Sequence, residues 1–426
     1  MRLLLPFLLV STAYAQVGPD YVRPPSDMPA RFKGVTWREG RPSDHLSRGD
    51  WWRVFRDPTL NALMDRATAN NQQLKGAIAR FDQARATARM ARSDFFPVLE
   101  APLTAERQRT SMNMPSAFPL NGAQYDGPAY NALLDFTWEI DLFGKLRRQL
   151  ESSRADAAAA ADAMHNVLLG LQAELAVNYF RVRALDVEMR LVRAAVGFRR
   201  EAFNIAEARV KAGAGSELEQ AQSETEVATA EAEISSLQAQ RDQLENAIAI
   251  LLGSDASSFR IAATGGDLPG PPAVSSGLPT DLLERRPDVS QAERALASAT
   301  AQIGVAKSYY FPSLQLLGNG GFQSGDIDVL LEPTSLMWSY GPKLTVPIFA
   351  GSKNRFNLER SRAAHDEALA AYRQALLAAL GDVENSLSSL RNLSTQAGAQ
   401  QRARASAERA ASLARTRYEA GTGLYI

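Results

Sequence analysis

The stretch LLDFTWEIDLFGK, Leu133 to Lys145, decides how the rest of the chain is read. From Leu134 to Leu142 apolar and polar residues alternate without a break. Leu134, Phe136, Trp138, Ile140 and Leu142 share one parity, and Asp135, Thr137, Glu139 and Asp141 share the other. A period of two is the signature of a strand, here with one apolar, aromatic face and one acidic face. The sequence downstream is rich in alanine and charge and reads as helix. A two-faced strand inside a largely helical chain raises the question of which two environments it separates.

Composition narrows the answer. With 45% hydrophobic and 22% charged residues over 426 positions, the chain is globular rather than disordered. Lys+Arg 47 balance Asp+Glu 47, so the charge gives no reason to expect a nucleic-acid partner. There is no cysteine, which excludes disulfides, thiolate metal sites and cysteine nucleophiles. The three histidines, His45, His165 and His365, are far apart and carry no metal-binding spacing. No Ser-His-Asp constellation or phosphate-cradling loop is evident, and the GNGG run at Gly318 to Gly321 has no helix after it and reads as a strand or turn feature. Neither an enzyme nor a cofactor is expected.

The N-terminus has the grammar of an export signal. Arg2 is a minimal positive region, Leu3 to Val10 a short apolar core and Ala13-Tyr14-Ala15 a small-x-small cleavage site. No later run approaches the roughly 18 apolar residues that a membrane-spanning helix needs. If this chain enters a bilayer, it does so as β structure.

The chain is written twice. RFDQARATARMARSDFFPVLE at Arg80 to Glu100 is echoed by AERALASATAQIGVAKSYYFPSLQ at Ala292 to Gln315, and DLFGKLRRQLESSRADA by PIFAGSKNRFNLERSRAA. ARVKAGAGSEL at Ala208 to Leu218 returns as RTRYEAGTGLY at Arg415 to Tyr425. Each unit runs helix (Asp57 to Ser93; Thr280 to Ser308), aromatic-Pro break, strand, polar loop (Thr110 to Ala129 in the first unit), strand, very long helix. In the second unit Trp338, Tyr340, Leu344, Val346 and Ile348 share a face opposite Ser339, Gly341, Lys343 and Thr345. Pro342 and Pro347 are awkward for a ladder and suggest a bulge or bend near the rim. The expected division is a signal peptide 1–15, an extended segment 16–50, a first repeat 51–253, a Gly/Pro-rich linker 254–278 and a second repeat 279–426.

Four strands are the whole β inventory. A soluble sandwich alternates in the same way, whereas membrane strands carry apolar side chains outward and polar ones toward a water-filled lumen. Four strands cannot close a barrel, and an open edge in hydrocarbon leaves backbone groups unsatisfied, so membrane strands would require several chains to close. From Arg147 to Lys211 apolar residues at 3,4 spacing (Leu168, Leu171, Leu175, Val182, Leu185, Met189) form a coiled-coil seam, in a rod of about 100 Å. It turns at Gly213 to Ser216, the glycines allowing a left-handed C-cap and Ser216 an N-cap, and Glu217 to Leu252 runs back. Asn354 to Tyr418 repeats the rod.

GPDYVRP at Gly18 to Pro24, WWRVFRDPTLNALMDRATANNQQL at Trp51 to Leu74, FTWEIDLFGKLR at Phe136 to Arg147 and above all LPTDLLERRPDV at Leu278 to Val289 resemble the outer membrane efflux proteins, the TolC-type and NodT-type outer membrane factors. The resemblance covers essentially the whole mature chain. It implies a mainly α protein with a transmembrane β part: a homotrimer whose chains each lend four strands to one outer-membrane β-barrel, with the long helices forming a tube across the periplasm. It further implies a periplasmic membrane-fusion adaptor and an inner-membrane RND transporter as partners, in tripartite drug or metal efflux. A type I protein-secretion duct shares this fold, and a non-transport periplasmic rod is the alternative of a different class. On this basis Phe136, Trp138, Ile140, Trp338 and Tyr340 face lipid. Asp135, Glu139 and Asp141 line the channel as an acidic ring favouring cations. Gly213, Gly215, Ser216, Glu217, Gly421 and Gly423 are the tip residues expected to meet the adaptor.

Two departures from the family pattern are expected to matter. Many relatives carry a lipid-anchored cysteine just before the GPDY motif, where Ala15 stands here, so no lipid anchor is expected. The sequence given ends at the second tip, so by its own repeat roughly 35 to 40 residues of returning helix are missing from the second unit, with the gate-closing aspartate of relatives.

Overall fold

The computed structural model describes residues 16–25, 49–109, 111, 126–263, 265–266, 268, 270–272 and 286–419. The signal-peptide segment 1–15, Gly421 and Gly423 lie outside these residues, as does the whole of 278–285.

Alternation in the opening stretch becomes a long strand, β3 (Asp126–Ile140), onto which everything else in the sheet is built. One edge of β3 pairs antiparallel with β1 (Val98–Glu100) and β2 (Leu103–Arg109), and the other with β4 (Ser313–Ser324), which pairs in turn with β5 (Leu336–Thr345). β1 and β2 keep one register along β3, Val98 opposite Thr137 and Leu103 opposite Ala132, and are one strand interrupted at Pro102, whose carbonyl still accepts from Leu133 N at 3.1 Å. The ribbon is therefore four strands wide, as expected, though β3 begins at Asp126, inside the segment read from sequence as loop. Pro342 makes no bulge: the β4–β5 register runs unbroken from Ser313↔Thr345 to Phe322↔Leu336. β5 is an edge strand of the chain, where a residue without an N–H is tolerated, and Pro347 lies beyond its end.

The helices follow the two-fold grammar closely. The helix α3 (Lys145–Lys211) and the helix α6 (Lys353–Glu419) are each 67 residues long, about 100 Å at 1.5 Å per residue. The aromatic-Pro breaks end α2 (Gln72–Ser93) and α5 (Pro287–Ser308), both 22 residues. α4 (Glu217–Leu251) returns alongside the far half of α3. The first helical stretch is not continuous: α1 (Pro58–Asn70) ends at Asn71. The Asn71 side-chain Oδ1 caps α2 by accepting from Leu74 N at 2.8 Å, while its Nδ2 donates to Leu251 O at 2.9 Å, at the end of α4. Gly253 makes this splice possible, since at φ 61° a Cβ there would stand 2.5 Å from Asn70 O. Thus α4 and α2 abut end to end and together run the length of α3.

The main core sits halfway along the rod. Leu60, Met64, Leu175, Val182, Ile248 and Leu252 are almost fully buried where α1 packs on α3 and the end of α4, with Phe259 and Ile261 from the following segment. Of the seam read from sequence, Leu171, Leu175 and Val182 are buried here, and Leu185 and Met189 in a further cluster with Leu237 of α4. Arg241, itself buried, joins Asp186 at 2.7 Å and Glu245 at 3.2 Å and donates to Ile261 O at 2.7 Å, fixing that segment against the helices. A second core, Val289, Leu296, Tyr372, Leu376 and Ala379, joins α5 to α6.

Candidate functional site

Cross-strand register turns the sequence parities into two continuous faces. On one, Leu134, Phe136, Trp138 and Ile140 stand opposite Gly320, Gly318, Leu316 and Leu314 of β4, which stand opposite Trp338, Tyr340, Pro342 and Leu344 of β5. The face is apolar yet unburied within the chain: Trp338 is 68% and Tyr340 82% exposed, their rings stacked at 5.7 Å. Phe136 and the Trp338–Tyr340 pair lean over Gly318 and Gly320, which have no side chains of their own. Trp138 donates its indole N–H to Phe95 O at 2.9 Å, which ties the ring to the aromatic-Pro break. All five residues expected to face lipid lie on this side.

The opposite face is polar. One cross-strand row reads Glu100, Asp135, Asn319, Ser339, and another Glu139, Gln315, Lys343. Asn131 and Thr104 are joined at 2.8 Å. The three acids singled out from sequence do not behave alike. Glu139 pairs with Lys145 at 2.9 Å, and Asp141, past the strand end, accepts from Arg147 Nε at 3.0 Å and from Arg147 N at 3.1 Å. Both pairs span six residues across the turn at Gly144, whose φ of 82° folds the first turn of α3 back onto the strand. Asp135 makes no ion pair with a described residue. Its carboxylate neighbour is Glu100, one row-mate across the sheet, which the three-residue strand VLE is too short to mark by alternation.

At the far end of α3 the tip has the capping expected of it. Gly213 (φ 75°) donates to Val210 O and Ala214 to Arg209 O, both at 2.9 Å, the paired bonds of a Schellman cap. A Cβ on Gly215 would approach Val210 N to 2.7 Å, so only glycine fits. Ser216 caps α4 by accepting from Leu218 N, and Glu217 and Glu219 lie in its first turn.

Two further clusters explain motifs by structure rather than chemistry. The GPDY segment is a strap across α3 and α5, held by Arg148, the largest fully buried side chain. Its guanidinium donates to Val17 O at 3.3 Å, Asp20 at 2.7 Å and Glu151 at 2.8 Å, and Gly18 passes so close to Gly304 that a Cβ would meet its Cα at 2.5 Å. Nothing in the sequence separates Arg148 from the neighbouring surface arginines. In the RRPD run, Pro287 opens α5 and Arg286 bridges Asp288 at 2.7 Å and Asp382 of α6 at 2.9 Å. The Arg286 guanidinium holds the Asp288 carboxyl below the usual carboxylate range. Among the described residues no group of His, Asp and Glu has a metal-ligating arrangement.

Known proteins carry the same plan. The profile of the outer membrane efflux protein family matches residues 63–254 and 278–425. The chain is 31% identical over 412 residues to outer membrane protein OprJ of Pseudomonas aeruginosa, covering 96% of this chain and 85% of that protein. It is 26% identical to the cation efflux system protein CusC of Escherichia coli, over 99% of this chain and 90% of that one. The solved outer-membrane channel OprN superposes with a TM-score of 0.84 at 31% identity, covering 96% of this chain and 90% of its own. The chain belongs to the outer membrane efflux protein family and is the outer-membrane channel of a tripartite efflux pump.

Proposed function

We propose that three copies close one barrel, and that the resulting duct passes small toxic compounds or drugs driven by an inner-membrane RND transporter through a periplasmic adaptor. The observation that carries this reading is the ribbon itself: four strands, an exposed apolar face, and two edges, β1/β2 and β5, with no partner strand among the described residues. In hydrocarbon each open edge leaves backbone groups unsatisfied at several kcal/mol apiece, and edge-to-edge closure by further copies removes that cost. The apolar face then meets lipid through Phe136, Trp138, Ile140, Trp338 and Tyr340. The adaptor meets the tip through Gly213 to Glu217, and through Gly421 and Gly423 of the second tip.

The polar face lines the passage. Lys145 and Arg147 neutralise Glu139 and Asp141 at the junction, so the acidic ring reduces to Asp135 with Glu100 beside it, repeated in each copy. Rings of carboxylates favour cations. Reversal potentials in planar bilayers under a salt gradient test this. The wild type is expected to prefer cations, and Glu100→Gln/Asp135→Asn to lose most of that preference. A wild type without preference, or a variant that keeps it, removes these residues from the conduction path.

A further inference from the structure

A cavity of about 1050 Å³ lies beside the main core, between the turn Trp51–Phe55, the start of α1, one face of α3 and the segment after α4. Arg56, Arg66, Arg183 and Arg260 line it, with Asp57 as the one carboxylate among the described residues. Asp57 is already committed: one oxygen accepts from Thr59 N and Leu60 N, the other from Tyr179 at 2.7 Å, where burial, then this bond, push the phenol up to about 12. Arg183 reaches Asp186 only at 3.9 Å, and Asp186 is held by Arg241 at 2.7 Å. Arg66 rests over the Phe259 ring and donates to Ser254, and Arg260 donates to the Phe259 and Ala256 carbonyls. Among the described residues none of Arg56, Arg66 and Arg260 has a carboxylate partner. In a chain of zero net charge, this gathers four guanidinium groups around one hollow, three of them without a carboxylate partner among the described residues.

Position selects the ligand. Tyr179 and Arg183 lie about 50 Å along α3 from the strand junction and about 45 Å from the tip. The cavity is thus too far below the barrel for lipid headgroups and too far above the tip for a partner docked there. The turn Trp51–Phe55, α1 and the segment after α4 form an extra layer on the rod, and in a channel such a layer stands outside the wall, since inside it would block the passage. We propose that this cavity binds the carboxylates of the peptide-bearing cell-wall polymer at mid-periplasm, through forked hydrogen bonds from Arg56, Arg66 and Arg260. The inference rests on the outer-membrane duct reading of the chain.

Co-sedimentation of the detergent-purified full chain with purified cell-wall sacculi tests it, with planar-bilayer conductance measured on the same preparations. The wild type is expected to sediment with sacculi at low salt and to be released at about 0.5 M salt. Arg56→Gln/Arg66→Gln/Arg260→Gln is expected to bind roughly tenfold less with unchanged conductance, and the corresponding triple lysine variant to keep part of the binding. Sacculi with amidated carboxylates are expected to lose the protein. Absence of wild-type binding, or equal binding by the glutamine variant, overturns the proposal while conductance leaves the duct standing. Loss of conductance in the wild type strikes the duct reading instead. Retention of a purified adaptor by the arginines, without sacculus binding, overturns the cell-wall assignment.

Discussion

The two strand-to-helix junctions are written in matching sequence, DLFGK and PIFAGSK, yet they are finished differently. In the first, Glu139–Lys145 and Asp141–Arg147 staple the strand to α3, Phe143 stacks on Phe311 at 4.9 Å, and Val17 of the strap donates to Phe143 O at 3.2 Å. In the second, Gly351 (φ 53°) and Ser352 (φ 66°) make the turn, and the matching Ile348 and Phe349 are 94% and 90% exposed. The first junction lies inside the chain, between the two repeats, and completes itself. The second lies beside the open edge of β5, and in the trimer proposed above it is left for another copy to complete. Two units with the same grammar thus part company at this junction, where the second borders the open edge of the sheet.

Replacing Ile348 and Phe349 by aspartate should break this contrast most severely. If a neighbouring copy buries them, each loses about 1.5–3 kcal/mol of apolar transfer per interface. Chemical crosslinking in detergent should then show most of the trimer gone, whereas an unchanged trimer would mean that these side chains face only lipid or water. Arg148→Ala comes next. Its partners Asp20 and Glu151 are 87% and 39% exposed, so although Arg148 is buried the expected cost is nearer 2 kcal/mol than the roughly 3–5 of a fully buried pair. Hydrogen exchange should rise sharply at residues 16–21 with the trimer intact. If protection there is unchanged, the strap is held by something other than Arg148.

The smallest effect is a pH dependence. Because Arg286 lowers the folded-state pKa of Asp288, the pair contributes stability that is present above the ordinary aspartate value of about 4 and lost as pH falls through the lowered value. For a partly exposed pair this amounts to about 1 kcal/mol or less. The thermal midpoint of the wild type should fall more than that of Asp288→Asn between about pH 5 and pH 3. Parallel curves would assign Asp288 no role in joining α5 to α6.

What the sequence made legible was periodic. Alternation placed Phe136, Trp138 and Ile140 on one face, the 3,4 spacing gave the rods, and Gly213 with Ser216 gave the tip, because each rests on local backbone geometry. Contacts between distant segments were not legible. The break at Asn71 looks like continuous helix until Leu251 is seen to accept its side-chain N–H. The pairing of Glu139 and Asp141 depends on a left-handed turn at Gly144, and the partnership of Glu100 with Asp135 on a register no short motif displays. The hollow around Arg56, Arg66 and Arg260 is lined by residues from Val54 to Pro272, far apart in sequence, so no local pattern marks it.

The central claim is that ribbons from separate copies join edge to edge so that only their apolar sides meet hydrocarbon. The mass of the particle purified in detergent, with detergent and lipid subtracted, tests it most directly. Three chains per particle, extracted only with detergent, is the predicted result. A single chain, soluble in plain buffer, would contradict it.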